Sequence, residues 1–180
     1  MILTGPEITA AADDGRLRIT PFDQSQVNPN SYNVRLGSTL LVYTDGVLDA
    51  RFRNPTEQVD IGPEGYVLQP GQLYLGHTVE HVGSDTFVPL LFGRSSVGRL
   101  GLFVEITAPI GDIGFHGQWT LMLSPIRPLR VYAEMKIGQI MFFVSVGPIA
   151  HYAGKYQAAN GPRASASWRD DHRPVQVVAS

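Results

Sequence analysis

The sequence predicts an all-β protein with a jelly-roll or barrel-like architecture, preceded by one short helix. Two observations support this prediction. Short runs rich in valine, isoleucine, leucine and aromatic residues recur roughly every eight to twelve positions, with turn residues between them. The 180 residues also include 19 glycines and 13 prolines, a composition that favours many turns over long helices.

The first segment has the signature of a helix over about residues 5 to 13. Thr4 and Glu7 have the spacing of a capping box, in which each side chain bonds a free backbone N–H of the first turn. Pro6 is tolerated in a first turn, and Gly15 suits the position just after a helix ends. We therefore expect one short N-terminal helix.

The strands are predicted downstream of this helix. The predicted strand segments are 32–36, 39–43, 65–68, 73–79, 86–92, 102–107, 119–123, 129–131 and 137–146. Beyond Gly154 the composition changes to alanine, serine, arginine, aspartate and glycine without periodicity, which is typical of an arm. We expect one domain over residues 1–165 and a C-terminal tail over 166–180.

Composition and charge exclude several classes of function. Lysine and arginine number 14 against 16 acidic residues, and the net charge of -2 gives no basic field for nucleic acid. No apolar run approaches the length of about 18 residues that a membrane span needs, and no leader pattern is visible, so we expect a cytoplasmic protein without a membrane partner. The absence of cysteine removes thiolate nucleophiles and every zinc site that uses sulfur.

Histidines 77 and 81 match a zinc-peptidase pattern, His77-x-x-Glu80-His81. That chemistry requires a helix, whereas these residues lie in a β-branched run. Residues four apart share one face of a strand, and Glu80 points to the other face. We therefore expect no metal-ligand set here, and the remaining histidines are too scattered to form one by spacing.

The segment from Gly93 to Arg99 suggests a phosphate site. It combines the two guanidinium groups of Arg94 and Arg99 with the hydroxyls of Ser95 and Ser96. Arginine donors match phosphate oxygens, and glycines allow backbone N–H groups to approach an anion closely. The alternative is a turn at the end of a strand with solvated arginines, and composition alone leaves both open.

Two further segments carry candidate functional groups. A glycine-rich hairpin over 110–117 presents Asp112, which suits the orientation of water or a sugar hydroxyl, and Phe115, which suits stacking on a ring. An ordinary hairpin with aspartate as a turn residue is the alternative. Farther along, an arm with Tyr152, Lys155 and Gln157 has the composition of a lid over an anionic ligand.

Taken together, these motifs resemble the dCTP deaminase branch of the dUTPase superfamily. The motifs are GRSSVGRLGL from Gly93, D-x-G-F-x-G from Asp112, MKIGQ over 135–139 and GKYQ over 154–157, in this order and at family-like spacings. The segment SYNVRLG over 31–37 is also similar to that family's first motif, with Asn33 where aspartate is usual. The resemblance covers about residues 1 to 165.

The resemblance implies a dUTPase-like distorted jelly roll that assembles as a homotrimer, with active sites at subunit interfaces. It implies a deoxynucleoside triphosphate substrate with Mg²⁺ bound through the triphosphate, and no metal held by the protein alone. The implied triphosphate-binding residues are Arg94, Ser95, Ser96, Arg99 and Lys155. The implied sugar and base pocket consists of Thr107, Ala108, Asp112, Phe115, Met122, Tyr152 and Gln157.

The chain departs from the family on the side that contacts the base. Met122 stands where family deaminases have the glutamate that moves protons, and a thioether cannot do this. Loss of a general acid/base typically lowers the rate by about 10²- to 10⁴-fold. Pro109 and Ile110 replace a common polar pair, and Ala159 replaces an arm glutamine. The phosphate side is therefore intact, while the base side is apolar.

Three functions remain open from the sequence. Slightly favoured is a diphosphatase-type hydrolase in which Asp112 and Ser95 serve attack of water on a phosphate, releasing a monophosphate and pyrophosphate. The second is a dCTP deaminase whose acid/base has moved, with Glu105 as the candidate. It would not use the zinc mechanism, whose ligands include cysteines. The third is a nucleotide-binding protein without catalysis.

Overall fold

The computed structural model describes residues 1–170 and is built mainly of strands. Helices α1 and α2 span Gly5–Asp13 and Ser95–Gly98, and 3-10 turns lie at Gln24–Gln26 and Ser167–Arg169. The strands are β1 Leu17–Thr20, β2 Val27–Asn28, β3 Ser31–Arg35, β4 Thr39–Tyr43, β5 Thr56–Asp60, β6 Tyr66–Leu68, β7 Tyr74–Ser84, β8 Phe87–Gly93, β9 Leu102–Phe103, β10 His116–Pro125, β11 Leu129–Val131 and β12 Lys136–Val144. Of the predicted tail, residues 171–180 lie outside the described residues.

The strands form two main antiparallel sheets. The larger has the order β5-β4-β7-β10-β9, with β1 added along β7, and the second has the order β2-β3-β12-β8. Strands β6 and β11 pair with each other. Consecutive strands mostly belong to different sheets, which confirms the all-β jelly-roll prediction.

The core lies between the two sheets. Strand β10 shows why these residues form it: burial alternates along the strand, so Leu121 and Leu123 are buried while Met122 lies on the opposite face and is half-buried. Strand β12 contributes Ile140 and Phe142 from the other sheet, and both are fully buried. This arrangement leaves the outer face of β10 available for the C-terminal arm.

The predicted N-terminal helix is confirmed by α1, but its predicted capping box is wrong. Thr4 has the extended backbone of an N-cap residue, yet its side chain caps no backbone N–H. Gly15 adopts the left-handed φ of 83° expected after a helix ends. Among residues 1–170, neither helix is long and apolar enough to cross a membrane.

The segment over 110–117 is not a hairpin as predicted. Ile110 bridges to Leu90 of β8, whereas His116 begins β10 and pairs with Gly83 of β7. The segment therefore crosses from one sheet to the other. The local glycine and aspartate content predicts a turn correctly, but it does not reveal which strands flank the turn.

Other strand predictions differ at their limits. The predicted strand over 102–107 contains only Leu102–Phe103, because the chain then turns away toward β8. Strands β1, β2 and β5 were not predicted, since they are short and rich in polar residues. On β7, Glu80 is fully buried and bonded to the Arg35 guanidinium at 2.7 Å. His77 and His81 lie on the opposite, outer face, as a strand requires.

Candidate active site

The turn between the two sheets presents Asp112 at the surface. Its backbone is fixed on both sides: the Gly111 N–H donates to Pro89 O at 2.8 Å, and the Phe115 N–H donates to Asp112 O at 3.1 Å. The Gly114 N–H donates to Ser84 O at 2.7 Å. The Asp112 side chain is exposed, whereas the turn that carries it is held by backbone hydrogen bonds.

The C-terminal arm docks against this turn. The Tyr152 N–H donates to Ile113 O at 2.8 Å, and the Tyr152 ring meets the Phe115 ring edge-to-face at 6.0 Å. The Gln157 side chain donates to Gly114 O at 2.7 Å and accepts from the His116 N–H at 2.9 Å. The structure thus brings together Asp112, Phe115, Tyr152 and Gln157, and we call these four residues the aspartate cluster.

Glycines make room for the arm. A Cβ atom on Gly114 would lie 2.7 Å from the Cβ of His151, and one on Gly117 would lie 2.8 Å from the backbone N of Ala159. The Gln118 N–H donates to Ala159 O at 2.8 Å, so the arm continues along the free edge of β10. Gly114 also has a φ of 92°, which side chains rarely tolerate.

Lys155 lies on the same arm, between Tyr152 and Gln157. Its ammonium group pairs with the carboxylate of Asp170 and lies 5.5 Å from the centre of the Tyr156 ring. Lys155 therefore lies on the docked arm, with its ammonium group turned toward Asp170.

The candidate phosphate residues lie around α2. Arg94 is its N-cap residue and Arg99 its C-cap residue, so one helical turn presents both guanidinium groups and the two serines. Val97 anchors this turn in the core, with 3% of its surface exposed. Ser95, Ser96 and Arg99 are exposed, and Arg94 is half-buried with its side chain bonded to Lys136 O. We call Arg94, Ser95, Ser96 and Arg99 the arginine cluster.

Several residues predicted for the base pocket lie beside the arginine cluster rather than the aspartate cluster. The Met122 N–H donates to Val104 O at 2.9 Å, and Gly93, which precedes Arg94, also packs against Val104. Glu105 follows Val104, and its carboxylate accepts a hydrogen bond from the Ala108 N–H across the loop that contains Thr107. Met122 and Glu105 are therefore near neighbours across strands.

The two clusters lie at opposite ends of β8. The aspartate cluster is at the Ser84–Asp85 turn, where β8 begins, and α2 follows Gly93, where β8 ends. Asp112 itself lies nearer the middle of the strand, because the neighbouring Gly111 N–H donates to Pro89 O, and the four residues from Pro89 to Gly93 span roughly 13 Å.

Asp85 connects β10 with the arm, and the sequence did not predict this role. Its carboxylate bonds His116 Nε2 at 2.8 Å and Arg18 at 3.0 Å, and its backbone carbonyl accepts from the ring of His151. The hydrogen bond from His116 holds the pKa of Asp85 below its ordinary value. Asp85 thus ties the first residue of β10 to the start of the arm, and no local motif marks this role.

The described residues offer no closed metal site of their own. Within residues 1–170, no three histidine, aspartate or glutamate side chains are grouped closely enough to hold an ion. Asp112 and Glu105 are single carboxylates, one in each region. This donor set fits a Mg²⁺ ion that is held chiefly by substrate phosphates, which is a common arrangement for this ion.

Comparisons with known proteins identify the family. Residues 2–145 match the family model described as dCTP deaminase-like. A protein of Leptospira biflexa named dCTP deaminase, dUMP-forming is 47% identical over 171 residues, covering 94% of this chain and 98% of the relative. A protein of Hathewaya histolytica with the same name is also 47% identical, covering 94% of this chain and 99% of the relative.

A solved structure agrees with this assignment. The 2'-deoxycytidine 5'-triphosphate deaminase of Agrobacterium tumefaciens matches with a TM-score of 0.65 and 25% identity. The match covers 80% of this chain and 48% of that chain, so this chain spans about half of its length. The fold, the ordered motifs and the two relatives agree, and the chain belongs to the dCTP deaminase-like family.

Proposed function

We propose that this protein hydrolyses a pyrimidine deoxynucleoside triphosphate to the monophosphate and pyrophosphate. This proposal depends most on the contrast between the phosphate-binding groups and the residue at position 122. The groups suited to phosphate chemistry are present, whereas Met122, whose thioether is half-buried, is the residue that the family resemblance matches to the proton-transferring glutamate. The chemistry that remains is attack of water on the phosphate chain.

The relatives are named for a reaction that includes both a deamination and the formation of a monophosphate. Conversion of dCTP into dUMP changes two parts of the nucleotide: the amine at C4 is lost, and the triphosphate becomes a monophosphate. The second change is the hydrolysis proposed here. A protein that lacks the deaminase glutamate would still catalyse this hydrolysis, with deoxyuridine or deoxycytidine triphosphate as the substrate.

In the proposed reaction, Asp112 orients the attacking water and accepts its proton. The water oxygen bonds to phosphorus, the bridging oxygen between the α- and β-phosphates leaves with pyrophosphate, and the monophosphate remains. Arg94 and Arg99 bind the phosphate oxygens with charge-assisted hydrogen bonds, and Ser95 adds a short one. Phe115 packs against the deoxyribose, and Lys155 pairs with the terminal phosphate after leaving Asp170.

Mg²⁺ would be bound through the triphosphate. The ion supplies neutralisation of the charge on the phosphate oxygens. The protein contributes the direction of the arginine donors and of the Asp112 carboxylate. Removal of the ion with a chelator is expected to stop turnover and to weaken triphosphate binding.

We further propose that the active protein is a homotrimer whose sites are shared between subunits. In this assembly a nucleotide lies between the arginine cluster of one copy and the aspartate cluster of the next. Large apolar side chains support this assembly: Leu100, Phe103 and Ile106, which follow α2, are 58%, 55% and 49% exposed. Such a patch is typical of a protein interface.

Deamination of dCTP is the second candidate, and the position of Glu105 favours it. Glu105 follows Val104, the residue to which the Met122 N–H is bonded, so a carboxylate lies next to position 122 across the strands. In this alternative, water adds to C4 of cytosine, ammonia leaves, and Glu105 carries the protons. Its hydrogen bond from Ala108 would have to break during each cycle.

The test is incubation of the purified protein with Mg²⁺ and either dUTP or dCTP, with product masses and released pyrophosphate measured. We expect dUMP from dUTP and little ammonia from dCTP. Rapid formation of a uracil nucleotide from dCTP, abolished by Glu105→Gln, would instead establish the second candidate. Binding of nucleotide without any product would overturn the hydrolase assignment.

A further inference from the structure

Trp119 lies beneath the turn that carries Asp112. The Trp119 ring fills the space beside Gly111, the residue before Asp112: a Cβ atom on Gly111 would lie 2.2 Å from Cη2 of the indole. On the other side of the turn, the Phe115 ring meets the Trp119 ring edge-to-face, with centroids 5.8 Å apart. One buried ring therefore contacts the turn both before and after Asp112.

The geometry of β10 directs the Trp119 ring toward the turn that carries Asp112. The pairing of β10 with β7 is irregular between Gln118 and Thr120, and the Trp119 N–H donates to the Thr78 hydroxyl at 2.9 Å instead of to a strand partner. The indole N–H donates to Val82 O at 3.2 Å, which fixes the rotation of the ring. Irregular strand pairing commonly redirects a side chain near a functional site.

We propose that Trp119 is a positioning residue for Asp112, and that Gly111 is glycine because the indole occupies the place of its side chain. Gly111 does not have a left-handed φ, so only the lack of space excludes a side chain there. This inference rests on the role of Asp112 in the proposed hydrolysis. It extends that role to a buried residue beneath the turn.

The test is a cycle of four proteins: wild type, Trp119→Leu, Gly111→Ala and the double variant. Each single change is expected to lower kcat for pyrophosphate release by about 10- to 100-fold with little change in KM, because a small misplacement of Asp112 affects the chemical step. In the double variant the smaller leucine makes room for the alanine methyl group. Trp119→Leu should therefore lower kcat in wild type but raise it in Gly111→Ala.

Pro89 Cγ, 3.0 Å from the same Cβ position, limits how far the double variant can recover. The matched control is Ile140→Val, a buried change in β12, which pairs with β3 and β8 and should destabilise the core. It should lower the melting temperature and leave kcat unchanged. If Trp119→Leu lowers kcat further in Gly111→Ala, or if Ile140→Val lowers kcat equally, the positioning role is wrong.

Amide exchange provides a second measurement that does not require turnover. The Phe115 N–H, bonded to Asp112 O, should exchange faster in each single variant and more slowly in the double variant than in Gly111→Ala. An unchanged rate in Trp119→Leu would overturn the inference. If wild type releases no pyrophosphate but the exchange pattern appears, the hydrolase proposal fails while the support of the Asp112 turn by Trp119 stands.

Discussion

The aspartate cluster and the arginine cluster differ in how completely one chain builds them. Around Asp112, the arm, the inter-sheet turn and Asp85 are joined by hydrogen bonds of 2.7 to 3.1 Å, and aromatic rings pack beneath. The arginine cluster is one helical turn anchored by Val97, with Ser95, Ser96 and Arg99 exposed. One region holds its carboxylate on a turn fixed by hydrogen bonds, and the other presents its charges at the surface.

This difference indicates where binding energy is used. The turn that carries Asp112 is fixed by backbone hydrogen bonds, so the carboxylate starts from a defined backbone position, which suits the chemical step. Exposed arginines lose side-chain freedom when they bind phosphate, and charge-assisted bonds to the ligand must offset that loss. We therefore expect changes near Asp112 to lower mainly kcat and changes in the arginine cluster to lower mainly affinity.

The largest effect is expected for Asp112→Asn. Without the carboxylate, water has no proton acceptor, and kcat for pyrophosphate release should fall by about 10²- to 10⁴-fold while Kd for the triphosphate changes little. Steady-state kinetics and calorimetry measure the two quantities. Asp45→Asn, in the exposed β4–β5 loop, is the matched control and should behave as wild type. An equal loss of affinity and rate would assign Asp112 to binding.

Met122→Glu is expected to add deamination of dCTP, by about 100-fold over the wild-type rate. The new carboxylate would lie near Glu105, and repulsion between like charges raises a pKa toward neutrality, which suits proton transfer in both directions. Ammonia release from dCTP measures this gain, with Met122→Gln as the control that cannot exchange protons. If Met122→Glu gains no more than Met122→Gln, position 122 does not face the base.

Arg94→Ala and Arg99→Ala should each weaken triphosphate binding by about 1.5 to 3 kcal/mol, the usual contribution of hydrogen bonds to charged groups. This corresponds to roughly 10- to 150-fold in Kd. Binding of the unphosphorylated deoxynucleoside should change little, and Arg53→Ala in the exposed loop is the control. Similar losses for nucleoside and triphosphate would mean that these arginines support the fold.

The smallest effect is expected for Asp85→Asn, and it depends on pH. The bond from His116 lowers the pKa of Asp85 in the folded protein below its ordinary value of 3.8. The ionised Asp85 carboxylate therefore stabilises the folded protein fully above its unfolded-state pKa. This stabilisation is lost as the pH falls through its folded-state pKa. The pair is partly exposed, so the variant should lose no more than about 1 kcal/mol of unfolding free energy at pH 7.

Denaturant unfolding of wild type and Asp85→Asn at several pH values measures this difference. The two stabilities should converge as the pH falls through the folded-state pKa of Asp85, which lies below 3.8, because the wild-type carboxyl is then protonated. A difference that persists at low pH would show that the asparagine disturbs the turn by another route. A difference that grows at low pH would contradict the sign of the pKa shift.

Local patterns predicted much of this architecture. The spacing of apolar runs gave strands close to β3, β4, β8 and β11, and the run of charged, hydroxyl and glycine residues over 93–99 drew attention to α2. These features depend on a few consecutive residues. The side-chain chemistry of such a segment is visible in the sequence whatever the tertiary structure around it.

Contacts that depend on the tertiary structure could not be predicted in this way. Asp85 meets His116 across 31 positions, and Gly111 meets the Trp119 ring through a strand irregularity that has no local signature. The segment over 110–117 was predicted as a hairpin because its composition fits a turn of either kind. Its role as a crossover depends on β7 and β8, which pair with its two ends.

The most direct test of the account is subunit mixing of two impaired variants, Arg99→Ala and Asp112→Asn, assayed at a triphosphate concentration well below the Kd of Arg99→Ala. The chains are combined one to one, denatured, reassembled and assayed for pyrophosphate release, with each variant treated alone as control. If each site takes its arginine cluster from one subunit and its aspartate cluster from the next, about a quarter of the sites regain both and activity returns to that level. If one chain builds a whole site, the mixture will be no more active than its parts.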